Sequence, residues 1–305
     1  MTPPSYAWAA FTLIAAGAQM LRNAAQHDLT RRIGTGGATF VRFLYGLPFA
    51  LVFLALISFA TSELPPPPAA RAVIAVAVAA AAQVLATALM LLAMREKSFV
   101  VATALTKTEA MQIVLFGALL QGGTPSVSLV IAAACATAGV LILSASTIGL
   151  YAPRDDARST RRAVGYGLSS AAAFAVATVS FRDAILALKG ASFVVAAAEI
   201  LALGLTAQAL VIFVWLLGAD RATLSALARE WRSSLGAGGL GALATLFWFF
   251  AFALASAARV RTLGLAEVLF AQLAAHSLFA ERTSLRDAAG VALILAGVAL
   301  ALNGG

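Results

Sequence analysis

Long apolar runs separated by short charged or Pro/Gly-rich links make up the whole of this 305-residue chain. A helix needs about 20 apolar residues to cross a bilayer. Taking the polar links as boundaries predicts ten spans: Tyr6–Ala25, Gly36–Ser58, Ala69–Met94, Ser98–Gln121, Ser126–Thr147, Ala163–Leu188, Ser192–Leu217, Leu235–Ala255, Thr262–Ala280 and Leu285–Leu302. Pro65–Pro68 is a stiff connector after the second, since a polyproline conformation cannot continue a helix. Ala7–Ala18 also has the look of a signal peptide core, with Ala16-Gly17-Ala18 as its cleavage site. No positive residue precedes it, so a first span is expected instead.

The longest polar link, Tyr151–Arg162, divides the spans five and five. The end of the first half, ALLQGGTPSVSLVIAAACATAGVLIL, lies well against FAERTSLRDAAGVALILAGVALAL at the end of the second. Gly139 falls on Gly297, Gln121 on Glu281, Gln112 on Gln272 and Lys107 on Glu267. Arg22-Asn23 corresponds loosely to Arg182-Asp183, and Arg42 to Glu199. Because five is odd, two such halves enter the membrane from opposite sides, as in many secondary transporters. The expected fold is an all-α integral membrane protein of ten transmembrane helices, arranged as two inverted-topology repeats of five. The repeats are residues 1–150 and 163–305, joined by a central linker, 151–162.

Composition narrows the function. With 62% hydrophobic and 11% charged residues the chain lacks the polar surface of a soluble domain. The net charge of +8 comes from Arg residues scattered between apolar runs, which argues against nucleic-acid binding. One cysteine, Cys135, excludes an internal disulfide and a cysteine metal cluster. His27 and His276 are far apart, and no nucleophile or metal-ligand spacing accompanies them. No enzyme activity, metal or cofactor is therefore expected.

Several features together resemble the drug/metabolite transporter superfamily, and its EamA type in particular. They are the ten-span layout, Arg42-Phe43-Leu44 on the second span, glycine-rich fifth and tenth spans, and Glu281-Arg282-Thr283 after the ninth. The resemblance covers nearly the whole chain. It implies a ten-helix inverted-repeat carrier with a central cavity, often an exporter of amino acids or related compounds. Many members carry proline in the middle of the fourth and ninth helices, where this chain has Thr108 and Val268.

The candidate site lies in the charges within the spans. One charge at the bilayer centre costs roughly 2.5 to 3.5 kcal/mol on insertion scales, so such residues turn inward and find partners. Lys107, Glu109, Glu267 and Glu199 are the deep ones. Lys107 and Glu267 are expected to bridge the halves, as a fixed brace or as a gate that opens and closes. Glu109 stands two residues from Lys107, about 200° round a helix, so it needs its own partner, for which Arg42 is a candidate. Gln112, Gln272, Gln83 and Tyr45 offer neutral hydrogen bonds, and Trp248 an aromatic wall. His276 suits a proton relay, although a lone His on an apolar helix is more often structural. Arg22 and Arg182-Asp183 lie toward span ends, where snorkelling explains them. The small residues Cys135, Gly139, Gly290 and Gly297 on the fifth and tenth spans permit close helix contact, a scaffold role.

The expected function is secondary active transport, as exporter or exchanger, of small polar or zwitterionic metabolites such as amino acids, by alternating access. The alternatives are a multidrug or cation exporter of the same fold and, in a different class, a polytopic channel. Expected partners are a small-molecule substrate, membrane lipids and protons as a candidate coupling ion, with no nucleic acid and a monomeric or weakly dimeric state. A bacterial-type inner (plasma) membrane is the expected location. Orientation stays open: the Arg-rich links place the termini outside by the positive-inside rule, whereas the family resemblance implies termini inside.

Overall fold

The structure, a computed structural model, describes residues 4–96, 99–121, 126–144, 157–269 and 285–303. They form twelve helices and, among the described residues, no strand. These are α1 (Ala7–Leu44), α2 (Leu47–Thr61), α3 (Ala70–Glu96), α4 (Phe99–Thr106), α5 (Glu109–Gln121) and α6 (Val127–Ser144), then α7 (Ala157–Ala187), α8 (Phe193–Ala219), α9 (Arg221–Arg229), α10 (Trp231–Leu254), α11 (Ala257–Gly264) and α12 (Leu285–Asn303). Among the described residues seven helical stretches are long and apolar enough to cross a membrane. Leu51, Leu56, Leu210, Val214 and Leu295 on these helices are exposed, as lipid-facing side chains are and as a soluble surface of this extent is not. The chain is an all-α membrane protein.

Two compact units divide it: Met1–Ala81 with Ser180–Ala255, and Ala82–Val179 with Ser256–Gly305. Each unit draws segments from both halves of the sequence.

In the first unit, α1 is interrupted at Gly34, whose φ of +74° is a conformation that glycine adopts without Cβ strain. Gln26 Nε2 donates to the carbonyl of Ala38, 12 residues away, at 2.8 Å. A straight helix would hold those residues about 18 Å apart, so the chain folds back at Gly34 into a hairpin. Tyr45 and Gly46 keep helical dihedrals, and the second limb runs on into α2. Glycines of α10 let the hairpin lie close: a Cβ on Gly238 would meet Tyr45 at 2.6 Å, and one on Gly241 would meet Arg22 and Arg42. Phe11, Phe193, Phe247 and Phe250 join α1, α8 and α10 through tilted and edge-on ring contacts. The short helix α9 begins on an Asp220 cap that accepts from Thr223 N at 3.0 Å, and it buries Leu227.

In the second unit, α6 and α12 pack through small residues. A Cβ on Gly139 would lie 2.5 Å from the Gly290 carbonyl, and one on Gly297 would lie 2.5 Å from the Ala132 carbonyl. Each glycine thus admits a backbone where any side chain would not fit. Ala110, Ala136, Val140, Leu265 and Ile294 make the buried apolar cluster beside this contact. Ser170 of α7 donates to the carbonyl of Ala86 on α3 at 2.7 Å, a hydroxyl bond that costs no unmatched donor in an apolar setting. Arg259 donates to the carbonyls of Ala301 and Leu302, where the α12 C-terminus favours a cation.

Candidate functional site

The fourth span breaks in the middle. α4 ends at Thr106 and α5 starts at Glu109, with Lys107 and Thr108 between them in a turn. Lys107 N bonds Ala104 O and Thr108 N bonds Leu105 O, at 3.1 and 3.2 Å, short-range bonds in place of the helical ladder. No proline is needed. Thr106 Oγ1 donates to Thr103 O and Thr108 Oγ1 to Leu105 O, both at 2.7 Å, so hydroxyls serve carbonyls that the break releases.

The chain breaks again at Leu265, between α11 and the helical turn that resumes at Ala266. Leu265 N bonds Thr262 O at 3.2 Å and Val268 N bonds Leu265 O at 3.1 Å. In the first break Lys107 N bonds Ala104 O, and Ala110 N bonds Lys107 O at 3.4 Å. The pattern at Leu265 is met at Lys107 and Ala110, and again one residue on, where Thr108 N bonds Leu105 O at 3.2 Å and Met111 N bonds Thr108 O at 3.1 Å.

Both breaks dispose charge in the same way. Glu109 opens α5 and Glu267 lies in the first turn after Leu265, where a helix N-terminus favours an anion. Lys107 follows the last residue of α4 and Arg261 lies in the last turn of α11, where a C-terminus favours a cation. The ion pairs then cross from break to break: Lys107 Nζ meets Glu267 Oε1, and Arg261 Nε lies 3.3 Å from Glu109 Oε1. Thr178 of α7 ties the second pair, donating to Glu109 Oε1 at 2.8 Å and accepting from Arg261 at 3.3 Å. Among the described residues two anions and two cations, all largely buried, pair across the breaks and balance in charge. Arg261 and Thr178 take the place at Glu109 that the residues alone suggested for Arg42.

Solved structures share this fold. Of 28 matching chains, one described only as "Crystal structure of protein" has a TM-score of 0.69 and 17% identity, covering 97% of this chain and 99% of that one. At that identity the likeness concerns the fold alone. No protein-family model and no curated protein matches this chain.

The remaining candidates divide between the units. Gln112 is in the second, where its amide donates to Thr108 Oγ1 and to the carbonyl of Leu168, each at 3.3 Å. Arg42, Tyr45, Glu199 and Trp248 are in the first. The Arg42 guanidinium lies 4.4 Å over the Phe43 ring. Tyr45 donates its hydroxyl to the carbonyl of Leu227, which seats α9. Trp248 is buried, donates to Gln19 Oε1 at 3.2 Å and stacks on Phe252. Glu199 is 5% exposed, and its Oε2 accepts no hydrogen bond among the described residues. Gln272 and His276 lie outside the described residues. Toward a span end, Asp183 is bridged by Arg71 through two contacts, one of 3.2 Å from Nε, while Arg182 donates to the carbonyl of Ala255 at 2.9 Å.

Arg261 and Thr178 were not among the residues singled out from the sequence. Arg261 stands before the ninth apolar run and reads there as a link charge. Thr178 is one hydroxyl in an alanine-rich helix, with no signal to mark it.

Proposed function

We propose that the chain is a secondary active transporter of the drug/metabolite, EamA-like type, an exporter or exchanger of small polar or zwitterionic metabolites such as amino acids. It is built of ten spans in two inverted repeats of five, works by alternating access, and belongs in a bacterial-type inner membrane. The observation that carries this is the pair of crossed ion pairs at two equivalent helix breaks. Broken helices at membrane depth occur where backbone lines a site rather than lipid, and transporters place ligand at such breaks. Buried charges within spans mark substrate or ion paths.

A second contact supports the inverted repeat. The offset that sets Lys107 against Leu265 also sets Gly139 against Gly297, Ala132 against Gly290, and Ala136 against Ile294. Gly139 packs on Gly290 and Ile294, while Gly297 packs on Ala132 and Ala136. Each contact is answered by the contact of its counterparts, the isologous pattern that a two-fold axis produces.

The cluster's chemistry favours a ligand carrying both signs. A lone anion or cation entering it would strand a buried charge, which is costly. A zwitterion takes one cation and one anion as partners and leaves the sum at zero. Protons are the proposed coupling ion, through Glu267, Glu109 or Glu199.

Purified protein in liposomes tests this by counterflow of radiolabelled amino acids. The parent should accumulate label against unlabelled amino acid inside, and Lys107→Ala and Glu267→Gln should each lose that uptake. Variants that insert correctly and carry amino acid as fast as the parent would take the site away from this cluster.

A further inference from the structure

We infer that the Lys107–Glu267 and Arg261–Glu109 pairs exist in only one of the carrier's two conformations and make that one its resting state. The inference rests on the inverted-repeat reading above. When two similar halves are inserted oppositely, the second conformation is the first with the halves exchanged in shape. A contact between a residue of one half and a residue of the other then passes to their counterparts.

Contacts already answered by their counterparts do not change under this exchange. Gly139 on Gly290 becomes Gly297 on Ala132, and both are present together. The α6–α12 contact therefore serves both conformations.

The ion pairs have no such answer. With the offset that the α6–α12 contact shows, the counterpart of Lys107 is Leu265, and that of Arg261 is Thr103. After the exchange Glu109 meets Leu265 where Arg261 stood, and Glu267 meets Thr103 where Lys107 stood. Lys107 meanwhile takes the surroundings that Leu265 has now. Leu265 is buried among Ala110, Ala136, Val140 and Ile294. The counterparts of those four are Val268, Ile294, Val298 and Ala136, all apolar. The exchange thus breaks two buried pairs and puts an ammonium into an apolar nest, two changes that both favour the present arrangement.

The consequence is a carrier that waits in one conformation until a ligand supplies the missing charges. A zwitterion does so, giving its carboxylate to the released Lys107 or Arg261 and its ammonium to Glu109 or Glu267. Its differential affinity for the exchanged conformation is what moves the equilibrium.

Spin labels at Leu64 and Val127, both exposed, in a chain carrying Cys135→Ala, test the inference by pulsed dipolar distance measurement in liposomes. The parent should show one dominant distance. Lys107→Leu, which makes the two breaks alike, should raise a second distance roughly five-fold or more, the scale of a modest coupling. Leu265→Lys gives Glu109 a cation after the exchange and should raise the same distance from the opposite direction. Glu267→Gln keeps the side chain's size and removes the attraction, and should shift the distribution the same way even where the other two fold poorly. Unchanged distributions in correctly inserted variants, with the parent still showing amino-acid counterflow, would overturn the lock and leave the transporter standing. A parent with no counterflow for any amino acid would overturn the transporter reading and the lock with it.

Discussion

Two helix contacts in the same unit are built on opposite principles. The α6–α12 contact is made of glycine, alanine, isoleucine and leucine, and the approach of Gly139 to Gly290 and Ile294 is answered by that of Gly297 to Ala132 and Ala136. The contact around α5 and α11 is made of Lys107, Glu109, Arg261, Glu267 and Thr178, and it is held by charge. Close packing of small residues has one good geometry, and the backbone tolerates no slack there. A charge cluster can be opened, because a ligand's charges can take the place of its partners. The first contact suits an axis that stays fixed and the second a part that moves.

The largest expected effect comes from filling the fixed contact. A Cβ on Gly139 or Gly297 would lie 2.5 Å from one carbonyl oxygen of the facing helix and 2.7 Å from a side-chain carbon, nearer than ordinary packing allows. Gly139→Leu and Gly297→Leu should each prevent assembly, seen as loss of the monodisperse peak on size-exclusion chromatography in detergent. Gly139→Ala and Gly297→Ala should cost about 1–3 kcal/mol each, the usual cost of overpacking. Because the contact is symmetric, the two alanine variants should lower the melting temperature by similar amounts. Gly165→Ala and Gly236→Ala, which meet nothing within 4 Å, are the controls and should leave it unchanged. Unequal effects of the two alanines would break the symmetry on which the comparison stands.

Next come the charges. Removing one member of a buried pair strands the other, at about 3–5 kcal/mol. Arg261→Met should therefore melt earlier than the parent and lose counterflow. Glu109→Gln with Arg261→Met removes the pair together and should recover most of the stability without the transport. A double variant that regained transport as well would make this pair a brace alone.

The contrast between the two contacts also explains what could be read from the residues. Small-residue faces on the fifth and tenth runs are legible because Gly139, Gly290 and Gly297 stand out in apolar helices, and close packing is the usual reason for them. Lys107 and Glu267 are legible as partners because a charge in an apolar run demands one. Arg261 escaped because a charge before an apolar run reads as a link, although α11 carries it into the break. The helix α9 escaped because nine residues are too few to signal a span, and the break after Thr106 because no proline announces it.

That break gives a smaller effect. Thr108→Val keeps the side chain's shape and removes the hydroxyl that serves Leu105 O. It should cost about 1 kcal/mol, the net worth of one hydrogen bond, with faster hydrogen exchange confined to the turn between α4 and α5. Exchange that spreads into α6 would mean that the moving and fixed contacts are not separable.

The smallest effect concerns pH and lies outside both contacts. Asp220 accepts from Thr223 N and Thr223 Oγ1, and Glu63 accepts from Ser192 N. Those bonds, which favour the charged form, hold both carboxyls below their ordinary values. A carboxyl whose folded pKa is depressed contributes stability above its unfolded pKa and loses it as pH falls through the folded one. Protection of the α9 amides should accordingly be constant above about pH 5 and decline below about pH 4, the ordinary carboxylate range. Asp220→Asn should flatten the decline, because an amide titrates nowhere in that range. The α6–α12 contact, whose touching residues carry no ionisable group, should keep its protection through the same titration. Parallel loss in α9 and α6 would mean that acid unfolds the protein as one body, and the difference between a fixed and a moving contact would then have no reflection in local stability.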